Sequence, residues 1–402
     1  MHAHAQEIVH RFVEVNLTLM HAARRQVLAA AVAAVMGGHS LSLSRLARGL
    51  VGAAGLKAAL KRMDRLIGHP RIEEEARLVG ACLMQRLSRM GGPLVIAVDW
   101  SAVSPGGTFV ELRAAVTYPG MGRALTVYQQ VYPQAKLGNP KAERALLNTL
   151  HAWVEADTAV ILITDAGFRR PWFAQAERLG WAWIGRVRRG VCVAQVVAKA
   201  AGSTHWSWAS VTNWFVRATG RAHRFTDCRL SKTFAWPCDV VLVRRRAVGS
   251  KHYRRPGHGS TPKASKEARQ SAHEPWLLVH SASLRCYSPE QIVAWYARRM
   301  QIEETFRDSK SATYGMGQEI GRSRSSSRLQ ALLLIATLAA FLLWHIGQLA
   351  ETEGVHRRFK ATTRTARELS VITLAFLICA LPRLPLTEFA IHTLYQRLGV
   401  RR

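Results

Sequence analysis

The chain has 402 residues, 49% of them apolar, with 56 Lys plus Arg against 26 Asp plus Glu and a formal charge of +30. That length can bury a sizeable core in two or three domains, and the charge, spread along the whole chain, calls for a polyanionic partner, with nucleic acid ahead of a ribosome or an anionic membrane surface. The six cysteines form no CxxC pair, which argues against a zinc site or a disulfide framework and fits a reducing cytosol.

The opening MHAHAQEIVHRF lacks the positive-then-apolar order of a signal peptide. Residues 1–90 read as a helical region, with apolar positions at three- and four-residue spacing. Within it, SLSLSRLARGL (40–50) and LKAALKRMDRLIG (56–68) predict two short basic helices around a Gly-containing turn. Such a pair suits DNA, through Arg45, Arg48, Lys57, Lys61, Arg62 and Arg65, and equally suits a bundle with a solvated basic face.

The texture changes at residue 93. PLVIAVDW reads as a buried strand ending in acid, followed by two β-rich segments, TFVELRAAVTY and RALTVYQQVYP. A helix over 141–156, a strand TAVILITD ending in Asp165, a helix near 171–179 and a strand WAWIGRVR complete the order β-β-β-α-β-α-β. That order, with acids at the ends of the first and fourth strands, predicts an α/β fold with an RNase H-like core, its first part over 91–189.

Residues 190–287 predict a β-rich insertion, with strand candidates VCVAQVV, DVVLVRR and PWLLVHS and a basic loop over 249–275. The core then resumes over 288–350, and a C-terminal helical region follows over 351–402. ALLLIATLAAFLLWHI (331–346) is 16 residues long, short for a bilayer, which needs about 20. It predicts a buried core helix and no membrane partner.

Three acids stand out by position. Asp99 and Asp165 each end an apolar run, where a carboxylate persists only if paired or bound to a cation, and the carboxyl ends of such strands gather ligands. The third lies in YARRMQIEETFRDSK (296–310). On one helix at about 100° per residue, Tyr296, Arg299, Glu303 and Lys310 share an arc of about 60°, while Glu304 points about 100° away from Glu303. Glu304 can pair with Arg307 at i,i+3 spacing, so Glu303 is the candidate. Three converging carboxylates suit Mg²⁺, and two such ions about 3.5–4 Å apart serve phosphoryl transfer.

These residues resemble a known family. Tyr296, Arg299, Glu303 and Lys310 match Y-x2-R-x3-E-x6-K, the signature of bacterial DDE transposases of insertion-sequence family four. VIAVDWS, ITDAGFRRPWF and RMQIEETFRDSKSATYGMG are similar to the Tn-ten branch. The resemblance runs from about residue 35 to 350. It implies that Asp99, Asp165 and Glu303 form a catalytic triad holding two Mg²⁺ ions, with Mn²⁺ as a substitute. It implies cut-and-paste chemistry on double-stranded DNA: nicking at the terminal inverted repeats, hairpin formation and opening, and strand transfer into target DNA. Tyr296, Arg299 and Lys310 would hold the backbone at the cleaved end, and Trp276 would stack on a flipped base, although its pattern alone favours a core Trp. The resemblance also implies a homodimer, in a bacterial cytoplasm and on the nucleoid. Two other readings stay open: a transposase-derived DNA-binding repressor without catalysis, and an RNase H-fold nuclease without strand transfer.

Overall fold

The computed structural model describes residues 3–89, 91–200, 203–245, 273–313, 315–321, 323–363, 368–381 and 383–400. The basic loop expected over 249–275 lies outside them, except for 273–275. In chain order the helices and strands are α1 (Ala3–Asn16), α2 (Ala22–Met36), α3 (Leu43–Gly49), α4 (Gly55–Ile67), α5 (Ile72–Ser88), β1 (Leu94–Ala102), β2 (Phe109–Val116), β3 (Leu125–Pro133), α6 (Pro140–Trp153), β4 (Val160–Thr164), α7 (Arg170–Arg178) and β5 (Ala182–Val187). They continue with β6 (Cys192–Ala200), β7 (Ser203–Ser210), α8 (Val211–Phe215), β8 (His223–Leu230), β9 (Trp236–Val243), β10 (Trp276–His280), α9 (Pro289–Ala297), α10 (Met300–Lys310), α11 (Ser326–Thr352), α12 (Val371–Cys379) and α13 (Glu388–Leu398). This is a mixed α/β fold with helices at both ends. The run β1-β2-β3-α6-β4-α7-β5 is the element order of an RNase H-like core.

The chain divides into two compact units, 1–160 with 298–402, and 161–297. In the first, β1, β2 and β3 form an antiparallel meander in which Asp99 faces Arg113 and Ser101 faces Glu111. The inner half of β1, LVIAV, is buried, and exposure begins at Asp99. Asp99 therefore sits inside the strand rather than at its end, because β1 runs three residues further than the apolar run suggests. α6 begins where Asn139 accepts from the N–H groups of Lys141 and Ala142, with Pro140 in the first turn, a pairing that satisfies donors otherwise left open at a helix start.

The predicted 16-residue apolar run lies within the 27-residue helix α11. By length and composition α11 could cross a membrane, yet 89% of its most apolar stretch is buried within the fold. Its Gln330 closes the free edge of β3: the side-chain oxygen accepts from Val131 N–H at 2.9 Å and the amide donates to the Gln129 carbonyl at 2.9 Å. An unpaired strand edge is thereby removed from solvent. Burial holds His345 of α11 neutral, with its pKa pushed down to about 3.

In α3 and α4 the apolar residues Leu46, Ala47, Ala59, Met63, Leu66 and Ile67 are buried. Arg45, Arg48, Lys57, Lys61, Arg62 and Arg65 are all exposed. Gly55, at φ +74°, starts the second helix of the pair in a conformation that favours glycine.

In the second unit β4 and β5 are parallel, β5 pairs with β10, and the order continues β10-β9-β8-β6-β7 by antiparallel pairing. The predicted strands VCVAQVV, DVVLVRR and PWLLVHS correspond to β6, β9 and β10. The strands β7 and β8 were not expected from sequence. Arg285 ties this sheet together, its Nε donating to Asp239 Oδ2 at 2.6 Å and its Nη2 to Asp227 Oδ1 at 2.8 Å.

Candidate active site

The stretch 296–310 is not one helix. Helix α9 ends at Ala297, Arg298 and Arg299 turn, and α10 starts at Met300. The arc computed from a continuous helix thus applies only from the start of α10, and Tyr296 sits on the preceding helix. Arg298 and Arg299 are both good helix formers, so no local signal marks this break.

Three anchors in the first unit fix α10 against the β2–β3 connection. Gln301 donates to the Tyr118 carbonyl at 2.6 Å, Thr305 Oγ1 donates to the Ala124 carbonyl at 2.9 Å, and Arg123 Nη2 binds Asp308 Oδ1 at 3.2 Å. Burial raises the pKa of Asp308, against the lowering effect of its bond to Arg123. So held, α10 directs Glu303 and Glu304 apart. Glu304 binds Arg307 at 2.8 Å and lies 3.7 Å from Arg123.

Arg299 links strand to helix. Its Nη1 donates to Asp99 Oδ2 at 3.1 Å, and its Nη2 makes a short contact with Glu303 Oε1. The guanidinium side chain is 11% exposed, against 16% for Asp99 and 39% for Glu303. The other Asp99 oxygen accepts from Trp100 N–H at 2.8 Å, and the Trp100 indole donates to Glu143 at 3.1 Å. Lys310, on the last turn of α10, reaches Ser101 Oγ at 2.7 Å. Burial lowers its pKa, opposed by the nearby Glu111 carboxylate.

Beneath these groups lies a buried ion pair that sequence reasoning passed over. Glu111 and Arg113 of β2 are 0% and 1% exposed, and Arg113 binds both Glu111 oxygens, through Nη2 at 3.1 and 2.9 Å. The Arg113 guanidinium also stacks 4.4 Å from the Phe306 ring of α10. Burial raises the Glu111 pKa, against the opposing pull of Arg113. A signal was present: an acid and a base two apart in an apolar strand share one face.

In the second unit, Asp165 follows β4 directly and is half-buried. Its Oδ1 accepts from Gly167 N–H at 2.8 Å, a side-chain turn that orients the carboxylate ahead of α7. Trp276, at the start of β10, meets Tyr296 edge to face with centroids 5.0 Å apart. The guanidinium of Arg245 lies 4.5 Å from the Trp276 ring.

The donor chemistry in the first unit fits a hard divalent cation. Asp99 and Glu303 each present a carboxylate oxygen to the one Arg299 guanidinium, and carboxylate oxygens are the donors that such a cation takes. Among the described residues no group of three His, Cys, Asp or Glu is close enough to hold a metal ion.

Residues 91–342 match the family described as the transposase DDE domain. No curated protein matches the chain. A similar solved structure is the piggyBac transposase synaptic complex with hairpin DNA, 11% identical, with a TM-score of 0.39, covering 97% of this chain and 82% of that one.

Proposed function

Because the chain belongs to the family of transposases with a DDE domain, enzymes that cut and join DNA, we propose that it performs cut-and-paste transposition of an insertion sequence of family four, on the Tn-ten branch. The observation that carries this reading is the Arg299 bridge, which joins Asp99 of β1 to Glu303 of α10 while Glu304 turns to Arg307. Asp99, Asp165 and Glu303 are the three carboxylates in this reading, and they would hold two Mg²⁺ ions, with Mn²⁺ as a substitute. Bound there, the ions supply activation of the attacking oxygen and neutralisation of the leaving oxygen of a phosphodiester.

The chain's own groups have separate tasks. Arg299 offsets the repulsion between two carboxylates when nothing else neutralises them, and its planar fork suits a DNA phosphate once they are neutralised by other means. Lys310, seated on Ser101, keeps an ammonium on the same face. Trp276, half-buried and backed edge-on by the buried Tyr296, would stack on a base extruded beside the cleaved end.

The order of events in this reading is nicking at the transposon end, attack of the freed 3′-OH on the opposite strand to give a hairpin, hairpin opening, and transfer of the end into target DNA. The partners are double-stranded DNA at the terminal inverted repeats and at the target, and a second copy of the chain in the paired-end complex. The N-terminal helical region, in which α3 and α4 carry exposed cations, would contact the ends. The setting is the bacterial cytoplasm, on the nucleoid.

The test is excision from a supercoiled plasmid carrying the element's own two ends, in Mg²⁺ against EDTA, for wild type and Glu303→Ala. Excised fragment that requires both metal and Glu303 supports the reading. End binding without excision in Mg²⁺ or Mn²⁺ overturns it in favour of a repressor, and cutting without strand transfer in favour of a nuclease.

A further inference from the structure

A second basic region lies wholly within the second unit. The turn before α7, the end of β5 and the β8–β9 hairpin line a cleft of about 830 Å³, within the ~300–1,000 Å³ range of small-ligand sites. Arg170, Arg188 and Lys232 stand exposed on its wall, and among the described residues no carboxylate lines it. Aromatic rings are interleaved with these cations. Arg170 lies 4.7 Å from the Phe234 ring and 5.5 Å from that of Trp236. Phe234 is 55% exposed at the hairpin tip, a costly place for a phenyl ring that covers no core.

The hairpin holds that ring in an unusual backbone. Ser231 at φ 65° and Ala235 at φ 43° are both left-handed without being glycine. The tip is closed by Ala235 N–H donating to the Ser231 carbonyl at 2.7 Å, and Ser231 N–H bonds the Cys192 carbonyl of β6 at 3.0 Å. Left-handed non-glycine residues persist where surrounding contacts over-determine them, often at ligand clamps. The N-terminus of α7, which has no side-chain cap, lines the same wall and adds the positive end of its dipole to the field.

We infer that this cleft is a binding site for single-stranded DNA, taking phosphates on Arg170, Arg188 and Lys232 and a base on Phe234 and Trp236. Cations alternating with exposed rings are the recognition chemistry of unpaired strands, since a stacking platform needs a base that is not already stacked in a duplex. A cleft of this size admits a nucleotide or two and excludes a double helix. The cleft adjoins the Trp276–Tyr296 pair through Arg186, which lines it and lies 5.8 Å from the Trp276 ring, and it rests on the transposase reading in that the ligand is DNA.

The experiment is fluorescence anisotropy of the full chain in EDTA, with a 12-nucleotide oligothymidylate, a 12-base-pair duplex and a 12-nucleotide oligouridylate. Phe234→Ala is expected to lose about tenfold or more in affinity for the single strand, while Phe234→Tyr keeps it and duplex affinity is unchanged in both. Lys232→Ala is expected to flatten the slope of log K against log salt by about 0.7, one single-strand phosphate contact. Wild-type oligothymidylate affinity in Phe234→Ala overturns the site, as does an equal loss for strand and duplex. Preference for oligouridylate assigns the cleft to RNA and also overturns it. Because no cutting is measured, failure here leaves the excision test untouched, and failure of excision leaves this binding result standing.

Discussion

The face formed by β1, β2 and α10 and the cleft beside the β8–β9 hairpin are both rich in arginine, and they use it in opposite ways. On the first face, Arg113 is buried, Arg299 is nearly so, and both are bound to the carboxylates of Asp99, Glu303 and Glu111. In the cleft, Arg170 and Arg188 are exposed, and among the described residues no carboxylate lines the wall. The 56 Lys and Arg residues therefore do not act as one group. Those held in internal pairs shape a site and cancel against their carboxylates, and the net charge of +30 offered to a polyanion comes from the cations that remain.

Four expectations can break or sharpen that contrast. The largest concerns chemistry. Asp99→Ala and Glu303→Ala should each lower excision by on the order of 10³-fold or more, as loss of a carboxylate from a two-metal site implies, whereas Glu304→Ala should stay within a few-fold in the same plasmid assay. The opposite ranking of Glu303 and Glu304 would reverse the assignment of the α10 faces.

Next is stability. Glu111→Ala leaves the Arg113 guanidinium buried without its partner and should cost about 3–5 kcal/mol in urea unfolding. Replacing both, as Glu111→Leu with Arg113→Met, should recover most of that loss, because two apolar groups carry no desolvation penalty. A double variant as unstable as the single one would show that the pair is more than a mutual neutralisation.

The cleft should behave otherwise. Phe234→Ala should change unfolding stability by no more than about 0.5 kcal/mol, as for other surface substitutions, although it weakens single-strand binding. A larger destabilisation would mean that the ring is part of the fold after all and would blur the contrast.

The smallest effect is a pH dependence. Burial lowers the Lys310 pKa below its ordinary 10.5, so the folded chain sheds this proton before the unfolded chain does. In that window the unfolded state holds more protons, and stability contributed through Lys310 rises as pH climbs towards 10.5. Lys310→Met should remove this gain in thermal melts across the alkaline range. Identical pH slopes for wild type and variant would show that the ammonium is not desolvated by the fold.

The sequence by itself determined the elements whose signal is local. Apolar runs bounded by Pro or Gly placed β1 to β5, helical periodicity placed α6, and the 100° step of a helix separated Glu303 from its neighbour Glu304. Only the tertiary structure decided where those pieces meet. Arg299 reaches Asp99 across 200 residues of sequence, so whether it clamps carboxylates or phosphate is set by what β1 brings to it. The turn at 298–299 falls on two arginines that favour helix, because α10 is fixed by Gln301, Thr305 and Asp308 against the β2–β3 connection. Glu111 and Arg113 look like surface residues until α10 covers them. Periodicity and capping act over a few residues, whereas desolvation and charge pairing depend on neighbours distant in the chain.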